Sequence, residues 1–461
     1  MPSPLAPRRV ALLFLFASAL VLANAAPTDR WDAPHAANPI LPGYYADPSL
    51  VEHDGRFYLY ATLDPWGGRT LGCWESSDFK HWTYRELNWP TKDACTSPQS
   101  GDSMVWAPSV VRAPNGRFFM FVSVGSEVWV GSAAHPLGPW SDANTGRPLI
   151  PHNYRPGFHM IDAEAFIDDD GSAYLYWGSG WNWTNGRCYV VKLRPDMVTF
   201  DGEPRDITPT NYFEAPFMLK HEGRYYLSYS QGITIKDTYA VHYAVGDTPF
   251  GPFTEASTSP ILSTDHARHI VSPGHHALFR HAGRTYILYH RHSVPFVADQ
   301  AHRQTCIDEL RFTADGLIEK ITPTHAAPAL VQDGAAGQLP AATASSAIGD
   351  LHDAARALDD NYATRWTPAD DDRAPWLQLD LGQERRITRQ ELRLEYAWKR
   401  YRFTVAASSD GETWTTLTDF RDGIAGSPVI IEAAASARFL RLNFFPGATD
   451  SKPALFEWSA F

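Results

Sequence analysis

The sequence predicts an all-β protein whose larger part is a five-bladed β-propeller, and three observations carry that prediction. Aromatic residues make up 13% of the chain (24 Phe, 20 Tyr, 16 Trp) beside 32 Gly and 35 Pro, a mixture that favours short strands broken by turns over long helices. A hairpin unit recurs five times, its turn glycines spaced 52–61 residues apart, room for two further strands per unit and so for one propeller blade each. The first strand of three of these units opens on a carboxylate at a matching position, and a propeller gathers such strand ends around one channel mouth.

Taken in order, residues 1–25 read as a signal peptide: Arg8 and Arg9 precede an apolar run from Val10 to Leu22, closed by Ala23-Asn24-Ala25. The expected location is therefore periplasmic or extracellular, after cleavage near Ala25. No other stretch approaches the roughly 20 apolar residues of a membrane span, so no membrane partner is expected. With 40 Lys+Arg against 52 Asp+Glu and no basic run, nucleic acid is an unsuitable partner. Cys73, Cys95, Cys188 and Cys306 are an even set for an oxidising compartment, and the pair closest in sequence, Cys73 with Cys95, is the expected disulfide. Their spacing fits no zinc site.

The propeller is expected within residues 26–332. Its hairpins are Asp54-Gly55 before Phe57–Tyr60, Asn115-Gly116 before Phe118–Phe121, Asp170-Gly171 before Tyr174–Trp177, Glu222-Gly223 before Tyr225–Tyr229, and Ala282-Gly283 before Tyr286–Tyr289. Eight or nine residues before each glycine stand Asp47, Ala107, Asp162, Glu214 and Gly274. Three acids in apolar surroundings at matching positions are costly unless they serve chemistry, so Asp47, Asp162 and Glu214 are the candidate catalytic residues. About eight residues beyond each glycine, the returning strand should reach the same mouth, at Leu63, Val124, Ser179, Gln231 and Arg291. Gln231 and Arg291 are candidate substrate ligands, Arg291 either for a sugar hydroxyl or for lowering a carboxylate pKa. Trp106 is placed either to stack on a sugar ring at the rim or to pack in the core.

These residues resemble glycoside hydrolase family 43 across roughly residues 38–325. The marks are Ala46-Asp47-Pro48-Ser49, Ile161–Phe166 with Asp168-Asp169-Asp170-Gly171, Phe213-Glu214-Ala215-Pro216, and Ser272–His276, in order and in phase with the repeat. The resemblance implies Asp47 as general base, Glu214 as general acid and Asp162 as the carboxylate that orients the acid and keeps its pKa high. It implies an inverting reaction, with the two working carboxyls far enough apart for a water. It also makes His275 the channel histidine facing a metal or water, calcium being the usual ion, although His276 next to it leaves the assignment ambiguous by one position. Glu164 is either a supporting group behind Asp162 or a buried hydrogen-bonded acid. No organic cofactor is expected.

Residues 333–340 read as an Ala/Gly-rich linker, and the propeller repeat stops there. The remainder, 341–461, resembles a discoidin-like module, the jelly-roll β-sandwich of many family 32 carbohydrate-binding modules. Its marks are Asp359-Asp360-Asn361 with Thr364-Arg365-Trp366, Trp376–Gly382 and Ser408–Trp414. Alternation through Trp376–Leu381 supports a half-buried strand, so the tryptophans are expected in the core. By resemblance a structural calcium would be held by Asp359, Asn361, Thr364 and Glu457. Tyr396, Trp398 and Tyr401 are aromatic candidates for binding sugar, against a purely structural appendage.

The expected protein is an exported inverting glycosidase acting on plant cell-wall side chains, an α-L-arabinofuranosidase first, with β-D-xylosidase, endo-arabinanase and exo-β-galactosidase as alternatives within the family. A non-catalytic glycan-binding propeller is the alternative of another class, and three intact acids speak against it. A sialidase-like propeller would need a basic rather than an acidic mouth. The oligomeric state cannot be read from sequence.

Overall fold

The computed structural model describes residues 29–331, 340–447 and 451–461. The expected signal peptide, and all but the last residue of the expected linker, lie outside the described residues. The described chain is nearly all strand; its helical turns are three short 3-10 segments, His266–Arg268, Asp350–His352 and Ala354–Ala357. None is long and apolar enough to cross a membrane.

Five antiparallel sheets follow one another in the first 310 residues, each a meander in sequence order. Their inner strands are Tyr45–His53, Val105–Arg112, Glu164–Ile167, Glu214–His221 and Gly274–His281. Each inner strand touches that of the next sheet, and the fifth touches the first, which closes the ring. The first four blades have four strands and the fifth has three. The aromatic second strands are explained by what they separate. Along Arg56–Leu63 the residues Phe57, Leu59, Ala61 and Leu63 face the core shared with the fifth blade, while Tyr58 and Tyr60 face the core shared with the second. A strand buried on both faces must be apolar at every position, not at alternate ones. Three further clusters fill the other spaces between blades.

The second domain begins at Ala341 and forms a five-stranded sheet packed on a three-stranded one. Trp366, Trp458, Leu377, Leu379, Phe403 and Leu440 fill the space between them. Trp376 and Trp414 are only half-buried and flank the Arg441 guanidinium at 4.8 and 4.2 Å, so they depart from the expected core role.

The two domains are joined through residues 31–45. Asn361 Nδ2 donates to the carbonyls of Trp31 and Ala33 at 2.8 and 3.0 Å, and Gln304 Nε2 donates to that of Tyr362 at 2.9 Å. Ala397 is buried in the core between the first and fifth blades, and Trp398 meets Tyr45 edge-on at 5.7 Å. This corrects the expectation for the sugar-binding aromatics. Tyr396 packs on Tyr44, Trp398 on blade one, and Tyr401 is a core residue, so all three are committed to structure. The expected disulfide is also corrected. Cys73 and Cys95 are free thiols in the core between the first two blades, as Cys188 and Cys306 are elsewhere, and burial pushes Cys95 up to about 12. Proximity in sequence said nothing about bonding geometry here; both side chains serve as small apolar filler.

Candidate active site

The site is built from an irregularity repeated in every blade. Strand pairing slips between Ala46 and Ser49, Trp106 and Ser109, Glu214 and Phe217, and Gly274 and Ala277. At each slip, and at the corresponding point of blade three, one residue takes a left-handed conformation: Asp47 (φ 53°), Ala107 (48°), Asp162 (57°), Ala215 (54°) and His275 (39°). Non-glycine residues held there cost roughly 1–3 kcal/mol each, and such bulges re-aim side chains. The cost is offset by hydrogen bonds from blade to blade. Ala107, Asp162 and His275 donate their N–H groups to Thr62 Oγ1, Ser123 Oγ and Ser230 Oγ at 2.8, 3.0 and 2.9 Å, each acceptor lying on the preceding blade. His290 Nδ1 stands 3.4 Å from the N–H of Asp47 and closes the ring. Blade three has Gly178 at that register, with no side chain to offer, and there the carboxylate of Asp162 itself accepts from Ala215 N–H.

This pattern corrects two registers read from the sequence. The residues equivalent to Asp47 and Asp162 are Ala215 and His275, so Glu214 stands one position before its bulge rather than on it. The second-strand residues that reach the mouth lie seven beyond the turn glycine, at Thr62, Ser123, Gly178, Ser230 and His290, and not eight. A shift of one turns a strand side chain to the opposite face. Arg291 accordingly points away: it is fully buried, with Nη2 donating to the Asn38 carbonyl at 2.9 Å and Nη1 2.9 Å from His325 Nδ1. Gln231 is exposed and does not line the pocket. Only Ser179 of the five residues eight beyond a glycine contributes.

Asp47, Asp162 and Glu214 nevertheless converge, with His275, on one cavity of about 360 Å³. Trp66, Trp106, Trp181 and Trp183 wall it, so Trp106 stands at the rim. His275, not His276, faces the acids: its Nδ1 lies 3.2 Å from Asp47 Oδ1 and 3.8 Å from Asp162 Oδ2. His276 turns between blades, its Nε2 2.7 Å from Ser228 Oγ.

The three carboxyls have different electrostatics. Burial opposes ionisation of Asp47, but Arg303, His275 and His290 outweigh it and hold this carboxyl well below the usual carboxylate range. Arg303 Nη1 lies 3.0 Å from Asp47 Oδ1, and Thr62 Oγ1 donates to Oδ2 at 2.7 Å. Glu214 is pushed up to about 7, chiefly by burial and also by the charge of Asp47, against hydrogen bonds from Tyr239 Oη (2.7 Å) and Ser179 Oγ (3.1 Å) that favour the carboxylate. Asp162 is raised well above the carboxylate range by burial, then by Glu214 and Asp47. Burial, more than the Asp162 charge that the resemblance implied, keeps Glu214 protonated. Glu164 is a half-buried acid, raised to about 8 by desolvation and hydrogen-bonded to Ser109.

Sequence reasoning missed Arg303, Asp64, His290 and Tyr239. Asp64 clamps Arg303, accepting from its Nε, Nη2 and backbone N–H at 2.9, 2.7 and 2.8 Å. Tyr239 stacks on His290 at 5.8 Å. The repeat signal for His290 stands at seven beyond the glycine; Arg303 opens a third strand and Tyr239 precedes one, where the hairpin repeat does not extend. Because the Tyr239 hydroxyl lowers the Glu214 pKa, Tyr239→Phe is expected to raise it. The alkaline limb of kcat/KM, set near pH 7 by loss of the Glu214 proton, should move to higher pH in a pH–rate profile.

Among the described residues no three His, Cys, Asp or Glu side chains are grouped as metal ligands. His275 spends its Nδ1 on the catalytic carboxylates. In the sandwich, Asp359 Oδ1 is buried without a hydrogen-bond partner, and burial pushes Asp359 up to about 7. Glu457 is raised well above the carboxylate range by burial, then by Asp360 and Asp359. Thr364 Oγ1 donates to Asp359 Oδ2 at 2.7 Å. The Asn361 side chain is engaged in structure: Nδ2 serves the domain interface, and Oδ1 accepts from Ala363 N–H at 2.8 Å.

A propeller mouth in which one carboxyl is kept ionised and two others are pushed towards their protonated forms between aromatic walls defines a carbohydrate-cleaving hydrolase. The sequence model of glycosyl hydrolases family 43 matches residues 36–318, and that of the F5/8 type C domain matches 341–457. The chain belongs to glycosyl hydrolases family 43 and is an inverting glycosidase of O-glycosyl bonds. It is 35% identical over 305 residues to a β-D-galactofuranosidase of Aspergillus niger, covering 63% of this chain and 86% of that one. It is 28% identical over 344 residues to an arabinoxylan arabinofuranohydrolase of Bacillus subtilis, covering 63% of this chain and 65% of that one. A solved structure described as a glycoside hydrolase superposes with a TM-score of 0.79 at 27% identity, over 93% of this chain and all of that one.

Proposed function

We propose that this enzyme releases α-L-arabinofuranose from side chains of plant cell-wall polysaccharide. In this reading Asp47 deprotonates the attacking water, Glu214 protonates the leaving oxygen, and Asp162 holds the backbone beside Glu214 through the Ala215 N–H. The observation that carries it is the split between Asp47, kept ionised by Arg303, and Glu214, kept protonated by burial, in one pocket. The furanoside reading draws support from the two named relatives: β-D-galactofuranose and α-L-arabinofuranose share a five-membered ring of the same configuration and differ in the exocyclic arm. The test is a panel of aryl arabinofuranoside, galactofuranoside, xyloside and galactoside, with the anomer of the first product recorded. Highest kcat/KM on the arabinofuranoside, with inverted product, is expected; a preference for the xyloside would select the β-D-xylosidase alternative.

The reading includes export after cleavage near Ala25, for which the Arg8–Ala25 pattern is the support. It also includes a structural calcium in the sandwich. The unpartnered Asp359 Oδ1 and the buried Glu457 carboxyl, which lies beside further acids, fit a hard cation, with Thr364 beside them and further oxygens from the backbone. Calcium at a hundredfold over its Kd should stabilise the protein by about 2.7 kcal/mol, seen as a higher Tm, and Glu457→Gln should abolish that increment.

A further inference from the structure

Asp47 and its arginine belong to different blades, and those two blades meet where the ring closes. Asp47 lies on the first inner strand, Tyr45–His53, and Arg303 opens the third strand of blade five, Arg303–Leu310. Every other pair of neighbouring blades is consecutive along the chain; blades one and five are not. The 3.0 Å contact of Arg303 Nη1 with Asp47 Oδ1 therefore spans a seam between the first and last sheets of the ring. A buried ion pair offsets its desolvation only while its geometry is kept. Against this seam lies the sandwich, whose Ala397 is buried in the core that the two blades share.

The sandwich grips the entry of both strands. A Cβ on Gly43, just ahead of the first strand, would stand 2.8 Å from the carbonyl oxygen of Glu395, so the two backbones all but touch there. The next residue, Tyr44, donates its hydroxyl to Glu395 Oε1 at 3.2 Å. Its ring lies 5.7 Å from the Arg365 guanidinium, which pairs with the same carboxylate at 3.1 Å. Tyr396 and Trp398 complete the grip against Tyr44 and Tyr45. On the other strand, His302 packs on the Tyr44 ring at 5.0 Å and Gln304 donates to the Tyr362 carbonyl, so both neighbours of Arg303 are tied to this contact. Tyr44 also leads inward: its carbonyl accepts from the Asp64 N–H at 3.2 Å, and Asp64 clamps Arg303. Among the described residues none of the sandwich lines the catalytic pocket, so its influence on Asp47 passes through this path.

Resting on the role given to Asp47 above, we propose that the sandwich is a working part of the active site: by clasping both strand entries across the seam it seats Arg303 on the general base, and Tyr396 and Trp398 are positioning residues. The double variant Tyr396→Ala/Trp398→Ala removes two side chains of the grip and none of the pocket. The charges that bear on Asp47 are Arg303, His275 and His290 of blade five, with Asp162 and Glu214 opposite; Asp64 is borne on by Arg303 and Asp47. Unseating Arg303 lets burial raise Asp47 and raise Asp64 further, and a carboxyl raised above its unfolded value costs stability as pH rises. The Tm deficit of the variant against wild type is therefore expected to widen from about pH 5 to about pH 8. Leu440→Ala, in the core of the sandwich, should give a deficit that stays flat over the same range. On whichever aryl glycoside wild type hydrolyses fastest, kcat of the double variant should fall about tenfold with KM within about twofold, the signature of misplaced catalytic groups. Its acid limb of kcat/KM should also rise into the measurable range. A flat deficit in the double variant, or an equal widening in Leu440→Ala, overturns the proposal. Trp398→Leu alone, should the double variant not fold, must show the same widening at smaller amplitude, and a flat deficit there refutes the grip. Wild type inactive on every glycoside would sink the functional reading, while the Tm comparison still decides whether the sandwich seats Arg303.

Discussion

Glu214→Gln is expected to lower kcat on arabinoxylan by about two to four orders of magnitude, the usual worth of a positioned general acid. The substitution is nearly isosteric, and its amide oxygen can still accept from Tyr239, so the pocket should keep its shape. What disappears is the proton that Glu214 carries because burial holds its pKa near 7. An alkoxide leaving from a sugar ring cannot depart without that proton, whereas 2,4-dinitrophenolate can. Turnover of the dinitrophenyl arabinofuranoside should therefore remain within about tenfold of wild type, and its alkaline limb near pH 7 should vanish. Equal losses on the natural and the activated substrate would remove Glu214 from the acid role.

The parts of this site that sequence made legible are those on which the repeat acts directly. Five glycine turns place five blades, and any acid near the start of an inner strand must approach the mouth, so Asp47, Asp162 and Glu214 could be named without coordinates. The register within the mouth was not legible, because the left-handed bulges that aim Asp47 and Asp162 insert a residue that spacing alone cannot assign. That one-residue shift is why the spacing points to Arg291 in place of His290, its neighbour on the opposite face. The arginine that does the work, Arg303, lies on the next strand of the same blade, paired across from His292. In the sandwich the same limit applies: Trp398 and Tyr401 look like a binding platform in sequence, but the structure packs Trp398 on Tyr45 of blade one and sinks Tyr401 in the sandwich's own core.

Arg303→Met is expected to be the most damaging single change outside the three acids, and its pH dependence identifies the cause. The guanidinium is the charge partner of two buried carboxylates, Asp47 and Asp64, and also covers the Trp66 ring at 5.4 Å. Methionine fills much of the volume but leaves both anions unpaired, a loss of about 3–5 kcal/mol where a buried pair is broken. The sign follows from linkage. In the wild type Asp47 is depressed below its unfolded value, so its contribution is present above about pH 4 and lost as pH falls through the folded pKa. Without Arg303, burial raises Asp47 above the unfolded value and pushes Asp64, which burial already raises in the wild type, further up, so the folded state is penalised more steeply as pH rises from about 4 towards neutrality. Tm measured from pH 5 to pH 8 should thus fall with pH in the variant relative to wild type, and adding Asp64→Asn should recover part of the difference by removing one of the stranded charges. Activity should move in the same sense: a protonated Asp47 cannot take a proton from water, so the acid limb of kcat/KM, out of reach in the wild type, should enter the measurable range. Arg303→Lys should restore little, since a single ammonium cannot span Asp64 and Asp47 with the fork that guanidinium supplies. A variant whose Tm tracks wild type across this range would show that Asp47 owes its ionisation to His275 and His290 instead.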